Sequence, residues 1–275
     1  MDKITKALKQ ARLNRLAQQE MSGDHRPPQR SNVKNISLQT RRGNSVENIA
    51  RFTPDTLVLE KNRILNEASR EEIVQPYKVL RTRLLHILQE KGWSSVAMVS
   101  PTKDDGKTTV AINLSISIGS SMQNNAVLLD LDLLTPSVHS CYGFEPVNGL
   151  EDYYKNNFEL RDILVSPNLD GLAIAPSTKE LQGSSEYLST HKSAQLMADA
   201  KSVSGNSIVI VDLPPMLVSD DAISFIPYVD AVLLVIREGK TSKLDIQRTL
   251  EMLINANIAG VVINDSLEPA TLGYY

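Results

Sequence analysis

The segment Ser100-Pro-Thr-Lys-Asp-Asp-Gly-Lys-Thr-Thr109 follows a short apolar run and leads into residues with helical spacing. A turn into a helix exposes amides that have no internal partners, and such amides favour an anion. A lysine beside them reaches the outer phosphates of a nucleotide, and the hydroxyl after it can ligand magnesium. Gly106, Lys107 and Thr108 have the types and order for those roles, and Asp104, Asp105 and Thr109 complete a nucleotide-binding loop of Walker A form. The usual first glycine of such a loop falls on Pro101, so the loop alone is an incomplete signature.

A second apolar run ends in Leu128-Leu-Asp-Leu-Asp-Leu133, where strand alternation points Asp130 and Asp132 to the same side. Two carboxylates beside polyphosphate repel it unless a cation intervenes, which makes magnesium the natural occupant. A third run, Ile208-Val-Ile-Val-Asp-Leu-Pro-Pro215, has Walker B form and offers Asp212 to the metal or its water shell. ATP and magnesium are therefore the expected ligands.

These residues need elements to hold them. Apolar runs at 96–99, 126–129, 172–175, 208–211, 231–236 and 258–263 are interleaved with helical candidates at 107–122, 192–202 and 242–255. Uninterrupted apolar strands joined through helices predict an α/β fold, a doubly wound and mostly parallel sheet with helices on both faces. Ligands of such sheets bind at the carboxyl ends of the strands, where all three motifs fall. Residues 64–89 also carry helical spacing.

Residues 1–20 read as an amphipathic helix, with Ile4, Leu8, Ala11 and Leu16 near one face among lysines and arginines. That pattern suits a partner, an anionic membrane surface or a solvated terminus. Residues 21–56, with Pro27-Pro28 and few large apolar side chains, read as a flexible linker. The expected domain spans 57–265, and 266–275 form a tail.

A length of 275 residues suits one large α/β domain with an appendage. The net charge of −3 supplies no basic field, so no nucleic acid partner is expected. A single cysteine, Cys141, and no secretory opening point to the reducing cytoplasm. The uncharged stretch 108–129 carries too many serines and asparagines to span a bilayer. Trp93 and Cys141 read as packing residues, and the histidines show no metal spacing.

Together the motifs resemble the bacterial tyrosine autokinases, or BY-kinases, of exopolysaccharide and capsule export. That family reads close to Thr-Ser-Pro-x-Pro-Gly-Glu-Gly-Lys-Thr-Thr, then Asp-x-Asp-Leu-Arg-x-Pro, then Asp-x-Pro-Pro. Here the matching segments are Ser100 to Thr109, Asp130-Leu-Asp-Leu-Leu-Thr-Pro136 and Asp212-Leu-Pro-Pro215. The resemblance runs from about Gln75 to the last residue and takes in His139, Gly143, Ser185-Glu186 and Ser219-Asp-Asp-Ala222. The opening Ile4-Thr-Lys-Ala-Leu8 is similar to the exosortase-locus branch of these kinases.

The resemblance implies transfer of the ATP γ-phosphoryl group to tail tyrosines of a neighbouring subunit, with Tyr274 and Tyr275 as acceptors. It assigns phosphate to Lys107 and the loop amides, magnesium to Thr108, Asp132 and Asp212, and the tyrosine hydroxyl to Asp130. It places Arg237 and Asn264 at the adenine. It further implies a homo-oligomer, a membrane polysaccharide co-polymerase as activator, a cognate tyrosine phosphatase, and recruitment from the cytoplasm to the inner face of the plasma membrane.

Departures from the family pattern temper the kinase reading. Asp104 replaces a loop glycine and sits beside Asp105, bringing two negative charges toward a polyphosphate, and Leu134 replaces an arginine. The Glu-x-x-Arg-x-x-Arg helix becomes Gln75-Pro-Tyr-Lys78-Val-Leu-Arg81. Weakened turnover is the consequence. A ParA/MinD-like ATPase is the main alternative, although its signature lysine falls on Thr102 with Lys103 one residue out of register. A degenerate nucleotide-binding regulator with little kinase activity is the other.

Overall fold

The computed structural model describes residues 49–266. The helix expected over 1–20, the linker as far as residue 48 and the tail beyond Ser266, with Tyr274 and Tyr275, lie outside the described residues.

One sheet contains β1 (Ala50–Arg51), β2 (Ser95–Val99), β3 (Asn125–Asp130), β4 (Val165–Ser166), β5 (Leu172–Ala175), β6 (Ser207–Asp212), β7 (Ala231–Arg237) and β8 (Ile258–Asn264). Their order across the sheet is β1-β4-β5-β3-β6-β2-β7-β8. Every neighbouring pair is parallel except β4 with β5. The longer helices are α1 (Glu71–Lys91), α2 (Lys107–Gly119), α3 (His191–Ser202) and α4 (Lys243–Met252).

Strand alternation divides the core in two. Ala97, Val99, Val127, Leu129, Val209 and Val211 belong to one buried cluster, while Val96, Met98, Ala126, Leu128, Ile208 and Ile210 belong to the other. Helix α2 contributes Val110, Ile112, Leu114 and Ile118 to the second cluster, and α3 contributes Leu196, Met197 and Ala200 to the first. Helices therefore cover both faces, which is why the central strands are apolar on both sides.

The structure revises several sequence expectations. Residues 49–56 have a linker composition, but Ala50 and Arg51 pair with Val165 and Ser166, and Phe52 stacks on Phe144 at 4.1 Å between ring centroids. The Asp55 side chain then caps the short helix Thr56–Lys61 through the Leu57 amide. The helical pattern over 64–89 is in part a loop, since Ile64 and Leu65 are buried ahead of a helix that starts at Glu71. Asn113 satisfies that loop by accepting from the Leu65 amide and donating to the Arg63 carbonyl.

The apolar run 258–263 is not buried on both faces. It forms β8, which pairs with β7 at one edge of the sheet and leaves Ile258, Val261 and Ile263 exposed. The helix expected over 107–122 stops at Gly119, where its backbone meets that of Gly171. A Cβ on Gly171 would lie 2.1 Å from the Gly119 carbonyl oxygen, so the pair permits a direct backbone contact. Among the described residues, no helix is long and apolar enough to cross a membrane.

Candidate nucleotide and metal site

Gly106 caps α2 in a left-handed conformation, φ 91°, which glycine adopts without steric cost. Its missing side chain matters too, because a Cβ there would lie 1.9 Å from Asn264 Nδ2. Lys107 and Thr108 follow as the first residues of α2, and Thr109 completes its opening turn. The next two motifs arrive on adjacent strands, with Asp130 of β3 in register with Asp212 of β6.

These side chains meet. Lys107 Nζ donates to Asp132 Oδ2 at 2.9 Å and to Asp212 Oδ1 at 3.3 Å. Thr108 Oγ1 donates to Asp212 Oδ2 at 2.6 Å. Asp130 and Asp212 are fully buried, and Asp132 and Lys107 nearly so. Burial works to lower the Lys107 pKa, but the Asp212 and Asp132 carboxylates outweigh it and hold the ammonium above the ordinary lysine value.

Asp130 and Asp132 are held differently. Asp132 Oδ1 accepts from the Thr135 amide at 3.1 Å and from its hydroxyl at 3.2 Å. Asp130 Oδ2 accepts from the Ser137 and Val138 amides at 3.2 and 3.0 Å, while Oδ1 is buried without a hydrogen-bond partner. Burial, reinforced by the neighbouring Asp212 charge, pushes the Asp130 carboxyl well above the usual carboxylate range. Ser177 Oγ fixes the strand end by donating to the Asp130 carbonyl at 2.6 Å.

Three buried carboxylates face one ammonium, an imbalance that low-dielectric surroundings make costly. A divalent cation would correct it. Among the described residues, however, no three His, Cys, Asp or Glu side chains form a self-sufficient metal site. The oxygens of Thr108, Asp132 and Asp212 are of the kind magnesium takes, a cation that keeps waters and substrate phosphates among its ligands and needs only one or two carboxylates from protein.

The loop ahead of α2 holds its two aspartates differently. Asp104 occupies a left-handed conformation, φ 60°, that aspartate tolerates better than most side chains, and its own side chain is exposed. Asp105 is buried and turns its carboxylate into the loop as a brace. Asp105 Oδ2 accepts from the Thr102 amide at 2.9 Å and hydroxyl at 3.0 Å, and Oδ1 accepts from Thr241 Oγ1 at 2.9 Å. Asn264 Nδ2 donates to the Asp105 carbonyl at 3.0 Å, and Arg237 Nη1 donates to the Asp104 carbonyl at 3.3 Å. Both side chains named for the adenine thus border the loop, and Arg237 also pairs with Asp265.

Sequence reasoning missed Lys240, Thr241 and Asp265, which belong to no motif and reach this region only through the pairing of β7 with β8. Cys141 matches its packing role, since burial, with help from the Asp212 and Asp130 charges, raises its thiol to about 11 and suppresses the reactive thiolate.

No protein-family model matches the chain. It is similar to the tyrosine-protein kinase Etk of Escherichia coli strain K12, 27% identical over 206 residues, which covers 74% of this chain and 28% of the relative. It is also similar to the tyrosine-protein kinase YwqD of Bacillus subtilis strain 168, 25% identical over 221 residues, or 79% of this chain and 92% of the relative. The chain thus spans about a quarter of the long relative and nearly all of the short one. Among solved structures, the kinase domain of Escherichia coli Etk superposes with a TM-score of 0.67 at 25% identity, covering 82% of this chain and 91% of that one. Fold, motif order and these distant relatives agree: the chain is similar to the bacterial tyrosine kinases, or BY-kinases, and shares their P-loop fold.

Proposed function

We propose that the protein is an ATP-dependent tyrosine autokinase that regulates polysaccharide synthesis and export, phosphorylating Tyr274 and Tyr275 in the tail of a neighbouring subunit. The observation that carries this reading is the meeting of Lys107, Thr108, Asp132 and Asp212 beside an Asp130 that keeps one unpartnered oxygen. Lys107 and the amides at the start of α2 hold the β and γ phosphates. Thr108, Asp132 and Asp212 are the oxygen donors for magnesium, which when bound neutralises charge on the phosphates.

Asp130 then has a distinct task. Its Oδ2 is fixed by two amides, so Oδ1 is left to accept the proton of an incoming tyrosine hydroxyl. A pKa above the usual carboxylate range brings it nearer to that of an effective base at neutral pH. Asp130 is fully buried, so a tyrosine hydroxyl reaches it only after the residues around it move. Activation by a membrane polysaccharide co-polymerase, homo-oligomer formation and a cytoplasmic position at the inner membrane face complete the reading by family resemblance.

Labelled ATP with magnesium tests it on the intact chain, a Lys107→Ala variant and a chain lacking Tyr274 and Tyr275, with and without a co-expressed membrane activator. Label should enter the intact chain and be lost from both variants. Equal label in the tailless chain removes the acceptor assignment, and label surviving in Lys107→Ala removes the site. ATP binding with no tyrosine label under either condition favours a ParA/MinD-like ATPase or a nucleotide-binding regulator. The Asp104 replacement in the loop is the observation behind that second reading.

A further inference from the structure

The loop ahead of α2 is gripped from its outer side by residues outside the three motifs. Lys240 Nζ donates to the Lys103 carbonyl at 2.8 Å, Arg237 Nη1 to the Asp104 carbonyl at 3.3 Å, and Asn264 Nδ2 to the Asp105 carbonyl at 3.0 Å. Three successive carbonyls of the loop are therefore drawn toward the turn after β7 and the end of β8. A trans peptide is planar, so the N–H that follows each carbonyl points the opposite way. The amides of Asp104, Asp105 and Gly106 are thus directed toward the loop interior.

Thr241 supplies a further tie. Its hydroxyl oxygen accepts from the Arg237 amide at 2.8 Å and its proton goes to Asp105 Oδ1 at 2.9 Å. Asp105, almost completely buried, passes that restraint to Thr102 through its other oxygen. The turn itself is preformed, with Gly239 at φ 70° and the Thr241 amide bonded to the Arg237 carbonyl at 3.0 Å. Lys240 also lies 3.6 Å from Asp104 Oδ2, so its ammonium offsets the charge that this chain carries in place of a glycine.

We propose that Lys240 and Thr241 are positioning residues that clamp the phosphate loop from behind and set the direction of the amides presented to a nucleoside triphosphate. The inference rests on the nucleotide-binding reading of the loop and adds residues that touch neither phosphate nor metal. The clamp compensates for an acidic loop. A carboxylate at position 104 alone would repel phosphate, and the lysine that lies beside it also fixes the adjoining peptide.

The test is ATP binding by the full chain, measured by titration calorimetry with magnesium, for the intact protein and for Lys240→Met, Thr241→Val and Thr241→Ser. Lys240 is exposed and Thr241 partly so, which keeps folding intact, and thermal melting without nucleotide verifies that. Affinity should fall about tenfold in Lys240→Met and in Thr241→Val, with melting unchanged and with Thr241→Ser close to the intact protein. Affinity within about twofold of the intact value in both variants overturns the clamp alone. Loss in Thr241→Ser equal to that in Thr241→Val also overturns it, because the hydroxyl is then irrelevant. An intact chain that does not bind ATP overturns the nucleotide reading and the clamp together.

Discussion

At the amino end of β2 and β7, Asp230 Oδ2 accepts from the Ser94 and Ser95 amides, both at 2.9 Å, from Ser95 Oγ at 2.7 Å and from Lys201 Nζ at 3.0 Å. At the carboxyl end of β3 and the neighbouring β6, the Asp132 and Asp212 carboxylates share the Lys107 ammonium, and Asp130 Oδ1 beside them has no hydrogen-bond partner. Burial raises the pKa of both groups in principle. At Asp230 the bonds from Ser94, Ser95 and Lys201 reverse that effect and hold the carboxyl below its usual value, whereas Asp130 stays well above it. A carboxylate that its own fold satisfies fastens strands, and one left short of partners is equipped to receive something from outside.

The contrast can be broken most sharply at Asp212. Asp212→Asn should lower labelled phosphate transfer by roughly a hundredfold or more, because it removes a carboxylate proposed to hold the metal. The same change should raise the stability of the protein without nucleotide by about 1 kcal/mol in urea titration, by relieving carboxylate crowding. A drop in stability instead would place Asp212 among the fasteners. Asp230→Ala should have the opposite profile, a loss of about 2–3 kcal/mol with unchanged ATP affinity in the folded fraction.

The smallest effect concerns pH. Asp230 has a depressed pKa in the fold, so its contribution is present above the unfolded value of about 3.9 and fades as pH falls through the lower folded value. Urea midpoints measured from pH 5 downward should decline below about pH 4, and Asp230→Ala should show a shallower decline. Identical slopes in the two proteins would remove Asp230 as a source of the acid sensitivity.

Much of this arrangement was readable in the sequence where local chemistry and long-range structure coincide. The runs at 172–175 and 208–211 mark β5 and β6 to within a residue, because strands buried on both faces leave no polar interruption. Lys107, Asp130 and Asp212 were legible because each lies at a strand or helix end within a recognisable run. The two-residue strands β1 and β4 were not, since neither is long enough to show alternation. The bracing role of Asp105 is hidden for a related reason. Its residue type announces charge, but the direction of its side chain depends on Thr241, which lies 136 positions away in sequence. Composition likewise could not separate β8 from the central strands, since its apolar residues resemble theirs and only the absence of a further neighbouring strand among the described residues leaves it exposed.

The contact between Gly119 and Gly171 has a mechanical consequence. Helix α2 is 13 residues long, so about 20 Å separates this contact from the end that carries Lys107. A helix is stiff along its axis, and a methyl group forced between these two backbones would push the whole rod rather than bend it. The spot where the helix ends acts as a stop that sets the axial position of its opposite tip, so the placing of Lys107 depends on a backbone contact at the other end of the strands.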